Sequence, residues 1–234
     1  MAADAQGTFR DTPATGTSRR GVRAGSGHGQ ASGLALRAAT AADAALVLAL
    51  TLAAYEEYRG VLVPESGVFR ETLDQVRSHL GGGVESRGPA PAPTDPAPTD
   101  PRVEARSGAV IASVDGEAVG CARWSVQVDD ATPAAEAPEV GPDVGPEATR
   151  AFLYVGRVAV LPAHRGRGVA TALMAWCERL AVERGLSEVR LGVRLGLARN
   201  EALYRRLGYR PTGSLEEREG YGPIAQWMAK PLGN

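Results

Sequence analysis

The segment from Arg165 to Ala170 holds the residues with the clearest chemical potential, because two arginines and two glycines alternate within it. An almost continuously apolar run, Phe152 to Leu161, precedes the segment, and apolar residues at helical spacing follow from Val169. Glycines let a ligand approach the main chain, and the free N–H groups at a helix start attract anions. Arg165 and Arg167 add positive charge. The pattern predicts a phosphate or pyrophosphate site in a strand–turn–helix unit.

This turn differs from the two common nucleotide-binding motifs. It lacks the Gly-Lys-Ser/Thr ending of the NTPase phosphate-binding loop and the Gly-x-Gly-x-x-Gly spacing of dinucleotide-binding folds. Those enzyme classes are therefore disfavoured. A turn of two glycines and two arginines also occurs as a plain solvated loop, so a functional assignment needs further segments.

A second polar pair lies near the C-terminus of the chain. Residues 200–207 predict a short helix that ends at Gly208, and Asn200 and Tyr204 are four residues apart within it. This spacing places both side chains on one helix face, where they can meet one ligand, while Leu203 and Leu207 face the core. The alternative is a tyrosine that packs its ring and leaves its hydroxyl in water.

Three segments in this order resemble the GNAT acetyltransferase superfamily. The cofactor motif of the family, Arg/Gln-x-x-Gly-x-Gly/Ala, stands here at residues 165–170. Residues 157–162 resemble the central strand of the family, and residues 200–209 resemble its later Asn…Tyr-x-x-x-Gly-Phe segment. The resemblance covers about Leu34 to Leu232 and is sharpest from Val158 to Tyr209.

The resemblance implies an acetyltransferase that uses acetyl-CoA as co-substrate, needs no metal and transfers the acetyl group directly to a primary amine. A bulge in the central strand would expose main-chain groups to the pantetheine arm and the thioester. Tyr204 is the implied catalytic residue, because a phenol with a pKa of about 10 can protonate the departing thiolate. The implied cofactor-binding residues are Val158, Val160, Arg165, Gly166, Arg167, Gly168, Val169, Ala170 and Asn200.

The chain departs from the family on the central strand. Many members carry a carboxylate there that accepts the proton of the amine, whereas this chain has Tyr154-Val155-Gly156-Arg157. The general base is therefore unassigned, and His164 is not a candidate, because the cofactor turn lies at the phosphate end. The alternative is a non-catalytic, regulatory acyl-CoA-binding module of the same fold. Asn200 and Tyr204 favour the enzyme.

The elements around these segments predict an α/β fold in which helices flank a central mixed, mostly antiparallel sheet of about six or seven strands. The predicted strands are Leu34–Arg37, Val110–Val114, Glu117–Val128, Phe152–Leu161, Val189–Val193 and Gln226–Ala229. The predicted helices are Asp43–Tyr58, Glu71–Leu80, Val169–Gly185 and Asn200–Leu207. In the first helix, Asp43 is the expected cap, and Leu46, Leu50 and Ala54 are expected on the buried face.

Composition divides the chain into one domain and three segments without a core. Residues 1–33 predict a disordered N-terminal tail, and residues 34–232 form the acetyltransferase domain. Two flexible, proline-rich insertions are expected within the domain, near residues 81–101 and 129–149.

Charge and cysteine content limit which binding partners and which cellular compartment we expect for the protein. The 26 basic and 27 acidic residues nearly cancel, so nucleic acid is not an expected partner. Two cysteines in apolar runs and the lack of an apolar span indicate a cytoplasmic protein without a membrane partner.

The insertion at 129–149 also bears on the acceptor. It contains six acids and no Lys or Arg, and so predicts a small-molecule or peptide amine with cationic character. The charge run is equally typical of a merely solvated loop. A macromolecular amine stays an alternative, and a homodimer stays open.

Overall fold

The computed structural model of the chain describes residues 33–81, 105–129 and 151–233. Its strands are β1 (Leu34–Ala38), β2 (Ser107–Val114), β3 (Glu117–Val128), β4 (Ala151–Val160), β5 (Glu188–Arg194), β6 (Arg210–Arg218) and β7 (Gly222–Pro231). Its α-helices are α1 (Ala44–Tyr55), α2 (Leu73–Leu80), α3 (Val169–Glu183) and α4 (Ala198–Arg206). The predicted insertions and tail lie outside the described residues, apart from Gly33, Gly81 and Asp129 at their edges.

One seven-stranded sheet runs in the order β1-β2-β3-β4-β5-β7-β6. Every neighbouring pair is antiparallel except β4 and β5, which pair in parallel. This confirms the prediction of a mixed, mostly antiparallel sheet flanked by helices. No helix in the described ranges combines the length and apolarity that a membrane crossing requires.

Helices cover both faces of the sheet, so its central strands are buried on two sides. Val110 and Ala112 of β2 belong to the core on the α3 face. Ala109 and Ile111 alternate with them and pack with α1 and α2 on the opposite face. Strands buried on both faces read as continuous apolar runs, and this explains why β2 and β4 carry no polar alternation.

The edge strand β6 was not among the predicted strands. All nine of its residues are exposed, and it contains Pro211 and Gly213. A strand without a buried face shows no alternation of apolar and polar residues, so its sequence carries no periodic signal. Pairing with β7 along the chain's last hairpin creates it.

Helix α1 differs from its prediction in two respects. Leu46 is 36% exposed, whereas Val47 and Thr51 are buried with the expected Leu50. The helix is apolar on almost every side, so no polar stripe in the sequence marks its outer face. Asp43 occupies the N-cap position, but its carboxylate accepts hydrogen bonds from Thr40 and Arg37 instead of capping the helix. These partners lower the pKa of Asp43 below its usual value, the Arg37 hydrogen bond most of all.

Candidate active site

The central strand β4 contains the bulge that the family resemblance implies. Cys121 of β3 lies opposite Ala159, but Arg123 lies opposite Gly156, so Ala122 faces the two residues 157 and 158. Arg157 has a φ of 51°, a left-handed conformation that costs a non-glycine residue about 1 kcal/mol or more. An extra residue in one strand bends it and breaks the regular ladder.

The bulge also reverses which face of the sheet each side chain meets. Before it, Leu153 and Val155 pack against the α3 face. Beyond it, Val158 and Val160 lie on that face, and Ala159 packs against the α1 face. In an unbroken strand, Ala159 would share the face of Leu153 and Val155 because side chains alternate with a period of two.

Strands β4 and β5 separate beyond their first contacts. They pair only at Leu153 with Val189 and at Tyr154 with Arg190. Leu161 N–H donates to Val119 O, so by the alternation of an antiparallel ladder the main-chain groups of Val160 and Val158 point away from β3. The far edge of β4 therefore presents backbone groups to the gap that no neighbouring strand pairs with in the described part of the chain.

A cavity of about 730 Å³ occupies this gap and runs from the glycine–arginine turn to the bulge. All of the predicted site residues except Arg167 line it: Val158, Val160, Arg165, Gly166, Gly168, Val169, Ala170, Asn200 and Tyr204. Arg167 is exposed. The end of α1 contributes another wall through Ala54, Tyr55, Glu57 and Tyr58.

At the turn end of the cavity, backbone donors are free. Gly166 and Gly168 have φ values of 74° and 81°, and a Cβ at either position would meet nothing within 4 Å. Within the described residues, the N–H groups of 166–171 have no hydrogen-bond partner. Donors at the start of α3 that lack a protein acceptor fit the oxygen atoms of an anion such as a pyrophosphate.

The guanidinium of Arg165 is directed at the protein and joins the turn to α1. Its Nε donates to Val160 O at 3.0 Å, its Nη2 donates to Ala54 O at 2.9 Å, and its Nη1 lies 2.6 Å from a carboxylate oxygen of Glu57. Two backbone carbonyls and one carboxylate thus accept from the N–H groups of this side chain. Arg165 positions the turn.

Replacing Arg165 by Met should lower the free energy of unfolding by about 1–3 kcal/mol, because two partly buried carbonyl groups lose their donor. The matched control is Arg167→Met, which removes the exposed arginine two residues later and should change stability by less than about 0.5 kcal/mol. Urea unfolding measures both values. Equal stability of the two variants would show that the Arg165 contacts do not hold the turn.

Three tyrosines line the cavity: Tyr55, Tyr58 and Tyr204. The Tyr204 hydroxyl has no hydrogen-bond partner in the described part of the chain, and burial raises the pKa of Tyr204 well above its ordinary value, with Tyr55 and Tyr154 adding to the effect. Burial also raises the pKa of Tyr55 to about 12. Tyr204 therefore stays protonated at neutral pH and has a proton to donate. Asn200 lies within hydrogen-bonding reach of Tyr58.

A second cavity, of about 610 Å³, lies against β4 on the face covered by α2. One oxygen of Glu71 accepts hydrogen bonds from both Arg123 and Arg157, the latter at 2.8 Å. Glu71 thus brings a carboxylate to β4, which has none of its own from 154 to 157. The sequence signal was an arginine inside each of two apolar strands, because buried charges require partners.

The acidic insertion is described only at Asp129, which forms an ion pair with Arg190. The other five acids lie outside the described residues. The prediction of a cationic acceptor stays a prediction.

Several solved structures share this fold. NAA60 of Arabidopsis thaliana, in complex with a bisubstrate analogue, is 12% identical with a TM-score of 0.54, and the match covers 86% of this chain and 99% of that one. YncA of Salmonella typhimurium, a putative acetyltransferase with acetyl-CoA, is 16% identical with a TM-score of 0.52, covering 86% and 95%. The PaiA N-acetyltransferase of Thermoplasma acidophilum, in complex with coenzyme A, is 13% identical with a TM-score of 0.53, covering 85% and 99%.

At these identities the likeness concerns the fold, and no curated protein matches the sequence significantly. The model of the acetyltransferase (GNAT) family matches residues 83–209, more than half of the chain. This match includes the bulged strand, the glycine–arginine turn and the Asn200–Tyr204 helix. The chain therefore belongs to the GNAT acetyltransferase family.

Proposed function

We propose that this chain transfers an acetyl group from acetyl-CoA to a primary amine by direct attack, without a covalent enzyme intermediate. The observation that carries the proposal is the first cavity, which joins free backbone donors at the turn to the uncommitted phenol of Tyr204. Donors at one end suit the phosphates, and an acid at the other suits a leaving thiolate.

Residues along the cavity divide the binding of the co-substrate between them. The N–H groups of 166–171 hold the pyrophosphate, and Arg165 fixes the turn that presents them. On the open edge of β4, the main-chain groups of Val158 and the N–H of Val160 pair with the amide groups of the pantetheine arm and with the thioester carbonyl, while Val160 O stays bound to Arg165. Asn200 contacts the arm from α4. Neighbours of this fold are bound to acetyl-CoA or coenzyme A, which supports this assignment.

Acetyl-CoA supplies a thioester whose carbonyl carbon is open to attack by a neutral amine. The new carbon–nitrogen bond forms as the carbon–sulfur bond breaks, and the amine loses one proton. Main-chain N–H groups of β4 stabilise the negative charge that develops on the carbonyl oxygen. Tyr204 transfers its proton to the departing sulfur and regains one from solvent. Direct transfer needs no nucleophilic side chain.

We assign no residue to the proton that the amine loses. Glu71 is the carboxylate found beside β4, but two arginines bind it through one oxygen. An amine that reaches the site already neutral needs only water as acceptor.

An amine is supported as acceptor by the description of one neighbour, PaiA, as an N-acetyltransferase. The proposal is tested by measuring thiol release from acetyl-CoA with a panel of primary amines, and by mass spectrometry of the acetylated product. We expect release with at least one amine class. Calorimetry should show coenzyme A binding in the same preparation. Binding without thiol release from any amine would instead identify a non-catalytic, regulatory acyl-CoA-binding module.

A further inference from the structure

The second cavity has an excess of positive charge. Among the described residues, four arginines and one carboxylate line this cavity. The arginines are Arg70, Arg106, Arg123 and Arg157, and the carboxylate is Glu71. A solvated surface would dilute such a charge, but a cavity between a helix and a sheet concentrates it.

One of these positive charges is buried, because only 9% of Arg123 is exposed. It shares a single oxygen of Glu71 with Arg157. Its own Nε and the other oxygen of Glu71, Oε2, are both buried without a hydrogen-bond partner within the described residues. One carboxylate cannot neutralise two guanidinium groups. A buried charge is stable only when it is paired, so this arrangement calls for a second anion.

The second cavity adjoins the reaction centre through β4. Arg157 lines the second cavity, and Val158, the next residue, lines the first. The charge of Arg157 lowers the pKa of Tyr55, a residue of the first cavity, against the effect of burial. The two cavities thus meet at consecutive residues of β4, beside the open strand edge to which the proposed function assigns the thioester.

We propose that the second cavity binds a carboxylate on the acceptor, so that the substrate is an amine that also carries a carboxylate, as an amino acid does. This inference rests on the proposed function, because it places the acceptor of that reaction. The planar guanidinium fork matches a carboxylate in a bidentate geometry. With its carboxylate held among the arginines, the acceptor presents its amine at the bulge of β4.

The test compares acceptors that differ only in the anionic group: amino acids, their carboxamides and their decarboxylated amines. We expect kcat/KM for the amino acid to exceed that for its carboxamide by about 100-fold, because a site built around a charged group rejects an analogue without it. A carboxamide or decarboxylated amine that reacts as well as the acid overturns the inference.

Variants of Arg70 and Arg106 should keep the fold intact, because both residues are exposed. The double variant Arg70→Gln, Arg106→Gln should reduce the preference for acid over carboxamide about tenfold, the effect expected for losing charge-assisted contacts. Arg77→Gln is the control, because Arg77 on α2 is also exposed and paired with Asp74 but does not line the cavity. An unchanged preference in the double variant contradicts the assignment.

Equilibrium binding separates this inference from the proposed function. Calorimetry measures amino acid binding to protein saturated with coenzyme A, and it needs no turnover. Carboxylate-dependent binding that weakens in the double variant, without thiol release, would support the inference and refute the acetyl transfer. Thiol release without a carboxylate preference would support the acetyl transfer and refute the inference.

Discussion

Gly168→Asp should weaken coenzyme A binding by about 100-fold, equivalent to about 2.7 kcal/mol. Gly168 is the N-cap of α3, and no atom lies within 4 Å of a Cβ built there, in the space assigned to phosphate. An aspartate at this position accepts hydrogen bonds from the free N–H groups of the first turn and thus competes for the donors. Its negative charge also repels the phosphates. Isothermal titration calorimetry measures the affinity.

Two controls separate charge from backbone strain. Gly168→Asn has nearly the same shape without the charge and should retain more affinity than the aspartate. Gly185→Asp introduces the same residue at the other end of α3, where φ is 70° and the added Cβ is also unobstructed. It should leave the affinity for coenzyme A within about twofold. A folded Gly168→Asp protein with unchanged affinity would exclude the turn as the phosphate site.

Tyr204→Phe should lower kcat by about 100-fold and leave the KM for acetyl-CoA nearly unchanged. A proton donor to sulfur matters most as charge develops on the leaving group, so its loss affects the chemical step. Because burial raises the pKa of Tyr204, the phenol remains a donor from neutral to mildly alkaline pH. Steady-state kinetics over that range measures the effect.

The matched control is Tyr209→Phe. The Tyr209 ring lies 6.0 Å from the Tyr204 ring, but its hydroxyl donates to Glu178 and does not reach the cavity. Removal of this hydroxyl should reduce stability by about 1 kcal/mol and leave kcat within about twofold. A Tyr204→Phe defect confined to KM would make Tyr204 a binding residue.

The sequence determined the parts of the site that are encoded locally. The turn at 165–170 requires glycines with positive φ and a helix start, and both features depend on contiguous residues. Asn200 and Tyr204 share a face because of helix geometry alone, whatever they pack against. Apolar periodicity and turn residues are also local signals, so the sequence predicts most strands and helices within a few residues of their observed bounds.

Tertiary structure decided the features that depend on pairing across the chain. Arg165 proved to bind the carbonyl of Ala54, which is 111 residues away, and no local pattern predicts that partner. Helix α1 is apolar on almost every side, so packing alone determines which of its faces is buried. The polar segment β6 forms a strand because it pairs with β7. Glu71 reaches Arg157 across 86 residues. A buried charge signals that a partner exists, but the packing of the elements selects which residue supplies it.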